Sequence, residues 1–167
     1  MPYPEPLVAP MRAELTRVGV EELMTPEAVD AAFEKAATGT MVLIVNSVCG
    51  CAAANARPAV SLARQAPVQP DAYTTVFAGQ DLDATARARE YMPGIPPSSP
   101  FIALFKDSEP VFILERRNIE GRSASAIAMD LVGAYKAHCG SHGVSSEQEI
   151  PKSEDADDLP STFRSIL

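Results

Sequence analysis

The sequence predicts an α/β domain, a mixed central β-sheet with helices on both faces. Three observations carry that prediction. Met41-Val42-Leu43-Ile44-Val45 is a continuous apolar run, the pattern of a strand covered on both sides. Segments of helical periodicity alternate with further β-rich runs, which implies parallel pairing through crossovers. Two late β-rich runs are separated by only a few residues, which implies a hairpin and an antiparallel edge. A chain of 167 residues is enough for one such domain with a full core.

The elements follow in order. Pro2, Pro4, Pro6 and Pro10 crowd the first ten residues, so no regular helix is expected there. Residues 11–24 read as a helix broken near Gly19, with Leu15, Val18 and Leu23 facing inward. Thr25-Pro26-Glu27 is a helix start, with a Thr cap, proline in the first turn and an acid behind it. Val29, Ala32, Phe33 and Ala36 continue that helix over residues 26–37, and Gly39 ends it. A strand over 41–46 leads to Cys49-Gly50-Cys51, then to a helix over 52–65 that Pro58 should kink. Residues 73–78 form a second strand, and 81–91 a helix capped by Asp81 with Asp83 in its first turn. Strands over 101–105 and 111–115 make the hairpin. Ser123 or Ser125 opens a last helix, with Ile127, Leu131, Val132 and Tyr135 on its apolar side. Helix, strand, helix, strand, helix, hairpin, helix is the order of a thioredoxin fold. The domain is expected to span residues 1–140. Residues 141–167, with Glu147, Glu149, Glu154, Asp155, Asp157 and Asp158, read as an acidic, flexible tail.

Composition narrows the function. Apolar residues make up 46% and charged residues 22% of the chain, the balance of a soluble globular protein. No apolar run approaches the ~18 residues of a membrane span, and the N-terminus lacks a secretory pattern. A cytoplasmic location with no membrane partner is the expectation. A net charge of -8 argues against a nucleic-acid partner. Structural disulfides are rare in the cytoplasm, so a Cys-x-Cys there points to catalysis or metal binding.

Placed between a buried strand and a helix start, Cys49 faces the positive end of a helix dipole, which favours thiolate over thiol. Cys49 is therefore the candidate nucleophile. Cys51, further in and expected to be more buried, is the resolving thiol. Gly50 is assigned a supporting role, through unusual dihedrals that only glycine adopts freely. Asn46 is the nearest polar residue on the strand and is also a supporting candidate. A copper(I)- or zinc-binding module using Cys49 and Cys51 is the rival of another class, although no second Cys- or His-rich cluster accompanies them. Cys139 reads as a half-buried cysteine at a helix end, and His142 as a residue without a role. Pro96-Pro97-Ser98-Ser99-Pro100 leads into a strand, where a cis proline would aim the Ser99 backbone at a substrate.

Val45-Asn46-Ser47-Val48-Cys49-Gly50-Cys51-Ala52-Ala53-Ala54-Asn55-Ala56-Arg57-Pro58 resembles the signature of the bacilliredoxin family, thioredoxin-like proteins with a Cys-Gly-Cys site. Thr75-Val76-Phe77-Ala78-Gly79-Gln80-Asp81, Pro97-Ser98-Ser99-Pro100, Ala103-Leu104-Phe105-Lys106-Asp107 and Ile119-Glu120-Gly121-Arg122-Ser123 agree with it. The likeness covers residues 3–139. It implies removal of bacillithiol from protein mixed disulfides, with disulfide isomerisation as a related activity. Cys49 matches the attacking cysteine, Cys51 the second cysteine, and Pro100 the cis proline. The implied co-substrate is bacillithiol, with no bound cofactor and no metal. The implied partners are bacillithiolated or disulfide-bonded client proteins and a flavin-dependent disulfide reductase. Because bacillithiol carries a malate carboxylate pair, Arg57 and Arg122 are candidates for binding it.

The chain departs from the family pattern in three places. Arg117-Asn118 stands where a histidine is expected, Ser108 replaces a turn glycine, and no counterpart is expected for the segment beyond Cys139. It also differs from thioredoxins, which carry a buried acid six residues before the first cysteine, where this chain has Leu43.

Overall fold

A computed structural model describes residues 2–140; the acidic segment 141–167, including His142, lies outside the described residues. The elements are α1 (Glu5–Thr16), β1 (Glu21–Glu22), α2 (Pro26–Lys35), β2 (Thr40–Asn46), α3 (Arg57–Ala63), β3 (Ala72–Phe77), α4 (Leu82–Glu90), β4 (Phe101–Lys106), β5 (Glu109–Leu114), α5 (Arg116–Ile119) and α6 (Ala124–His138). A π-helical turn over Ala52–Ala56 leads into α3. The strands form one sheet in the order β1-β3-β2-β4-β5. β1, β3 and β2 run parallel, whereas β4 and β5 are antiparallel additions. This is the mixed, helix-covered α/β sheet of the thioredoxin-like fold.

Every residue of β2 is buried, because the strand is central and both faces are covered. Its side chains alternate between two cores, as a period of two requires. Val42 and Ile44 join Leu15, Val60, Ile102, Leu104, Ile127 and Leu131 under α1, α3 and α6. Met41, Leu43 and Val45 join Val29, Phe33, Ala84, Ala88 and Phe105 under α2 and α4. Leu43 is thus packed in apolar surroundings, and a carboxylate there would be buried among hydrocarbon.

The N-terminal reading needs correction. A helix does form at residue 5, because Pro4 caps it and Pro6 falls in the first turn, where the missing N–H has no helical partner to lose. Only Pro10 lies inside it. α1 stops at Thr16, Gly19 turns with φ +86, and Glu21–Glu22 pairs with Thr74 and Thr75 as an edge strand rather than continuing a helix. Asp81 makes no capping hydrogen bond to α4. Its carboxylate instead accepts two bonds from Arg12, at 2.7 and 3.0 Å, clamping α1 to the start of α4. Charge-assisted bidentate pairing outcompetes a single cap.

Several local expectations hold. The Thr25 and Ser123 hydroxyls accept from the N–H groups of Ala28 and Ala126, capping α2 and α6. The β4–β5 hairpin closes through Asp107 and Ser108, with φ of 51 and 67. Both central residues of such a two-residue turn need positive φ, which is where the family pattern has its glycine. The break expected from Pro58 takes the form of the π turn, in which the Arg57 N–H bonds to Ala52 O five residues back.

Candidate active site

β2 delivers the chain to the site. After Asn46 it leaves the sheet through Ser47 and Val48, and the carbonyl of Cys49 accepts from the N–H groups of Ala52 and Ala53 to start the helix. Gly50 sits in this first turn, exposed, with no left-handed φ and nothing within 4 Å of where a Cβ would lie. The special-dihedral role expected of Gly50 is therefore not what the geometry uses.

Cys49 and Cys51 are both free and both half-buried, so exposure does not separate them. Hydrogen bonding does. The Cys49 Sγ lies 2.9 Å from Cys51 Sγ and 3.1 Å from Ser47 Oγ. Burial opposes its thiolate, but the Cys51 thiol, the Ser47 hydroxyl and the backbone N–H groups of Ala52 and Cys51 together hold its pKa below the ordinary thiol value. Cys51 shifts the other way, raised by burial and by the charge it faces on Cys49, with Arg116 opposing. One thiol is arranged to ionise and the other to donate to it.

A buried polar chain fixes the loop that carries Cys49. Asn46 Oδ1 accepts from Ser47 N at 2.9 Å and from Arg57 Nη1 at 3.0 Å, while Asn46 Nδ2 donates to Met11 O at 3.3 Å. Arg57 Nη1 also donates to Ser47 O at 3.0 Å, and Arg57 Nε pairs with Glu14 on α1. Asn46, the supporting candidate on the strand, thus holds Met11, Ser47 and Arg57 together. Arg57 is only 2% exposed and its Nε and Nη1 are engaged within the fold, so it is not presented to a bound carboxylate. The second arginine candidate fails as well. Arg122 donates to Asn118 O at 3.1 Å and to Asp130 at 2.6 Å, and its carbonyl accepts from Asn55 in the π turn. It joins the π turn to the start of α6 and does not line the space beside Cys49. Neither does the departure at Arg117-Asn118: Asn118 caps α5 on the Glu115 N–H, and Arg117 pairs with Glu115 at the surface.

What does face Cys49 is an open groove of about 380 Å³, lined by Ser47, Cys49, Tyr3, Arg89, Ser99 and Arg116 among others. The Ser99–Pro100 bond is cis, Pro100 is buried and Ser99 is half-buried in the groove wall. The neighbouring Ser98 Oγ accepts from Arg116 N at 2.8 Å, tying the proline-rich loop to α5. Sequence reasoning missed Ser47, Arg89 and Arg116. For Ser47 a signal existed, a hydroxyl two residues before Cys49; the arginines come from α4 and α5, remote in sequence. A cavity of similar size, about 390 Å³, lies at the other end of the sheet between α2 and the starts of β2 and β3, and no cysteine lines it. Cys139 caps α6 near Thr40, at the opposite end of β2. Among the described residues no group of three or more His, Cys, Asp or Glu side chains is arranged to hold a metal ion, and no helix is long and apolar enough to cross a membrane.

A thioredoxin-like sheet that presents an ionisable thiol, a donor thiol and a cis proline beside one groove defines a thiol-disulfide oxidoreductase. Residues 3–139 match the family model described as Disulphide isomerase. Two proteins named Bacilliredoxin from Salinibacter ruber are 58% and 52% identical to this chain, each aligned over 99% of both sequences. A Bacilliredoxin from Cytophaga hutchinsonii is 53% identical over 80% of this chain and 97% of its own length. The chain belongs to the bacilliredoxin family. The Salinibacter relatives also run with it through the acidic C-terminal segment, so that segment does have a counterpart.

Proposed function

We propose that this protein removes bacillithiol from protein mixed disulfides, with Cys49 as nucleophile and Cys51 as resolving thiol. The observation that carries the reading is the convergence of the Cys51 thiol and the Ser47 hydroxyl on Cys49 Sγ, at the edge of an open groove. The Cys49 thiolate attacks the bacillithiol sulfur of the mixed disulfide. The client–bacillithiol S–S bond breaks as the Cys49–bacillithiol bond forms, and the client leaves as thiolate to take up a proton. Cys51 then attacks Cys49 Sγ and gives up its proton. Bacillithiol leaves as thiolate, and the two electrons it carries away leave Cys49 and Cys51 as a disulfide. A second bacillithiol, attacking the sulfur of the first, is the route that dispenses with Cys51. The cysteine pair is returned to dithiol by bacillithiol, which a flavin-dependent disulfide reductase keeps reduced. Cytoplasmic clients suit this cycle, since a reducing thiol pool is its source of electrons.

The matched family description favours one second reading, isomerisation of client disulfides by the same two thiols. A zinc site would lack a third ligand beside Cys49 and Cys51 among the described residues, whereas copper(I) needs only the two thiolates and is tested by metal that survives desalting. A single experiment separates the two thiol-exchange readings. Reduced Cys51→Ala protein is mixed with a bacillithiol-modified client and the products are weighed by mass spectrometry. Bacillithiol on Cys49 is the expected result. A client that stays modified, while a scrambled disulfide substrate is still rearranged by the unaltered chain, would establish the isomerase instead.

A further inference from the structure

We infer that Arg89 and Arg116 form the subsite that binds the carboxylates of the low-molecular-weight thiol while its sulfur reacts at Cys49. This rests on the de-thiolation reading above and names the residues that select its substrate.

The two side chains stand in the wall of the groove that also holds Cys49. Among the described residues no Asp or Glu lines that groove, although the chain as a whole carries a net charge of -8. The local sign is therefore opposite to the global one, and it is set by two guanidinium groups. Their states differ in a useful way. Arg89, on α4, is half-buried and has no hydrogen bond or ion pair among the described residues. Burial without a partner pulls its pKa down from the usual guanidinium range. A half-buried guanidinium with five unused donors is a binding group awaiting an acceptor. The Arg116 side chain, at the start of α5, makes among the described residues only a 3.5 Å contact with Glu120, and both side chains are about half exposed. It feels both site thiols: Cys51, Glu120 and Cys49 raise its pKa, in that order.

The groove's size selects the kind of anion. About 380 Å³ falls within the range of small-molecule sites. A molecule seated there with its sulfur at Cys49 and a carboxylate on each planar fork is a thiol bearing two acids. That matches the malate group of bacillithiol, the role expected of Arg57 and Arg122 before their side chains were seen to be occupied elsewhere. Recognition of the acid also has a mechanistic use. Binding energy from a group remote from the sulfur positions the disulfide for in-line attack.

The test compares two mixed disulfides of one client, one carrying bacillithiol and one carrying uncharged 2-mercaptoethanol, with the full chain. Second-order rates are measured for the unaltered chain and for Arg89→Gln, Arg116→Gln and the double variant. The ratio of the two rates is expected to fall about tenfold for either arginine and about a hundredfold for both, the loss of one or two charge-assisted hydrogen bonds. For Arg89→Gln the mercaptoethanol rate should stay within about threefold, whereas Arg116→Gln is read through the ratio because Arg116 also acts on Cys51. Arg89→Lys should recover part of the ratio, since charge returns without the fork. Equal losses on both substrates would mean that the arginines tune the thiols or hold the client, and would overturn the subsite. So would an unchanged ratio. An unaltered chain that clears mercaptoethanol but never bacillithiol would instead sink the de-thiolation reading itself, and the subsite with it.

Discussion

Cys49 and Cys139 stand at opposite ends of β2 and answer differently to similar exposure. Both are half-buried, and at each burial is the largest influence and disfavours the charged form. At Cys49 that penalty is overcome, because Cys51, Ser47 and two backbone N–H groups donate to its sulfur. At Cys139 the Thr40 hydroxyl donates and Lys106 attracts, but Asp71 repels, and the thiol is pushed up. The strand between them spans roughly 20 Å at the usual rise per residue, so neither end borrows from the other. What separates the two thiols is how many donors the loop after β2 aims at one sulfur. Mere access to solvent does not create the difference.

The sharpest test of that contrast is replacement of Cys49, the proposed nucleophile. Cys49→Ser is expected to reduce disulfide exchange at least about a thousandfold, since a hydroxyl is hardly ionised at neutral pH. Stopped turnover with a mixed-disulfide substrate measures it. Brief alkylation of the unaltered chain, mapped by peptide mass, should label Cys49 first and Cys139 last. Labelling in the reverse order would break the comparison outright.

Next comes the support beneath the loop. Arg57→Leu leaves Asn46 Oδ1 and Ser47 O without their buried donor and Glu14 without its partner. Glu14 is 45% exposed and recovers some hydration, so the expected loss is about 2–4 kcal/mol, near the low end for a broken buried pair. Urea denaturation gives the number. If instead stability holds and only exchange falls, Arg57 acts on the chemistry and the ligand reading for it must be reopened.

A smaller effect isolates one donor. Ser47→Ala removes a hydrogen bond that lowers the Cys49 pKa, so the pKa should rise toward the ordinary thiol value. Thiolate is present above that midpoint and lost as pH falls through it. The alkylation-rate profile should therefore move to higher pH, with a loss of about threefold near pH 7, the scale of one neutral hydrogen bond. An unmoved profile would leave the backbone and Cys51 as the only effective donors.

How far the sequence could have led to these groups follows from where they come from. β2, the hairpin and the caps at Thr25 and Ser123 are written in short runs of residues, and local runs determine them. The two-residue β1 is not, because Glu21-Glu22 has no strand signal of its own and exists only by pairing with Thr74 and Thr75. α1 was hidden by prolines that happen to fall at its tolerant first turn. In the site, Cys49 and Cys51 were readable because a motif two residues apart sits at a strand-to-helix junction. The inward course of Arg57 is not legible, since sequence does not say whether an arginine folds inward onto Asn46 or outward to a ligand. Arg89 and Arg116 reach the groove only through the packing of α4 and α5, which no local pattern encodes.

Cys139 supplies the smallest effect and the cleanest control. Cys139→Ala should leave exchange unchanged and shift stability at neutral pH by no more than about 1 kcal/mol, as for a partly buried small side chain. Its signature lies at alkaline pH. The folded protein holds Cys139 as a thiol above the ordinary thiol pKa of about 8.5, whereas the unfolded chain releases that proton. Between those two midpoints the native state binds more protons, so unfolding free energy falls as pH rises. The unaltered chain should therefore lose more stability than Cys139→Ala between about pH 7 and about pH 10, with Cys51 contributing equally to both. Tyr73 and Tyr135, which the Cys139 charge helps to raise, add to the difference toward the alkaline end. Parallel declines in the two proteins would mean that Cys139 ionises as freely folded as unfolded. The two ends of β2 would then differ in donors alone and not in what burial does to a thiol.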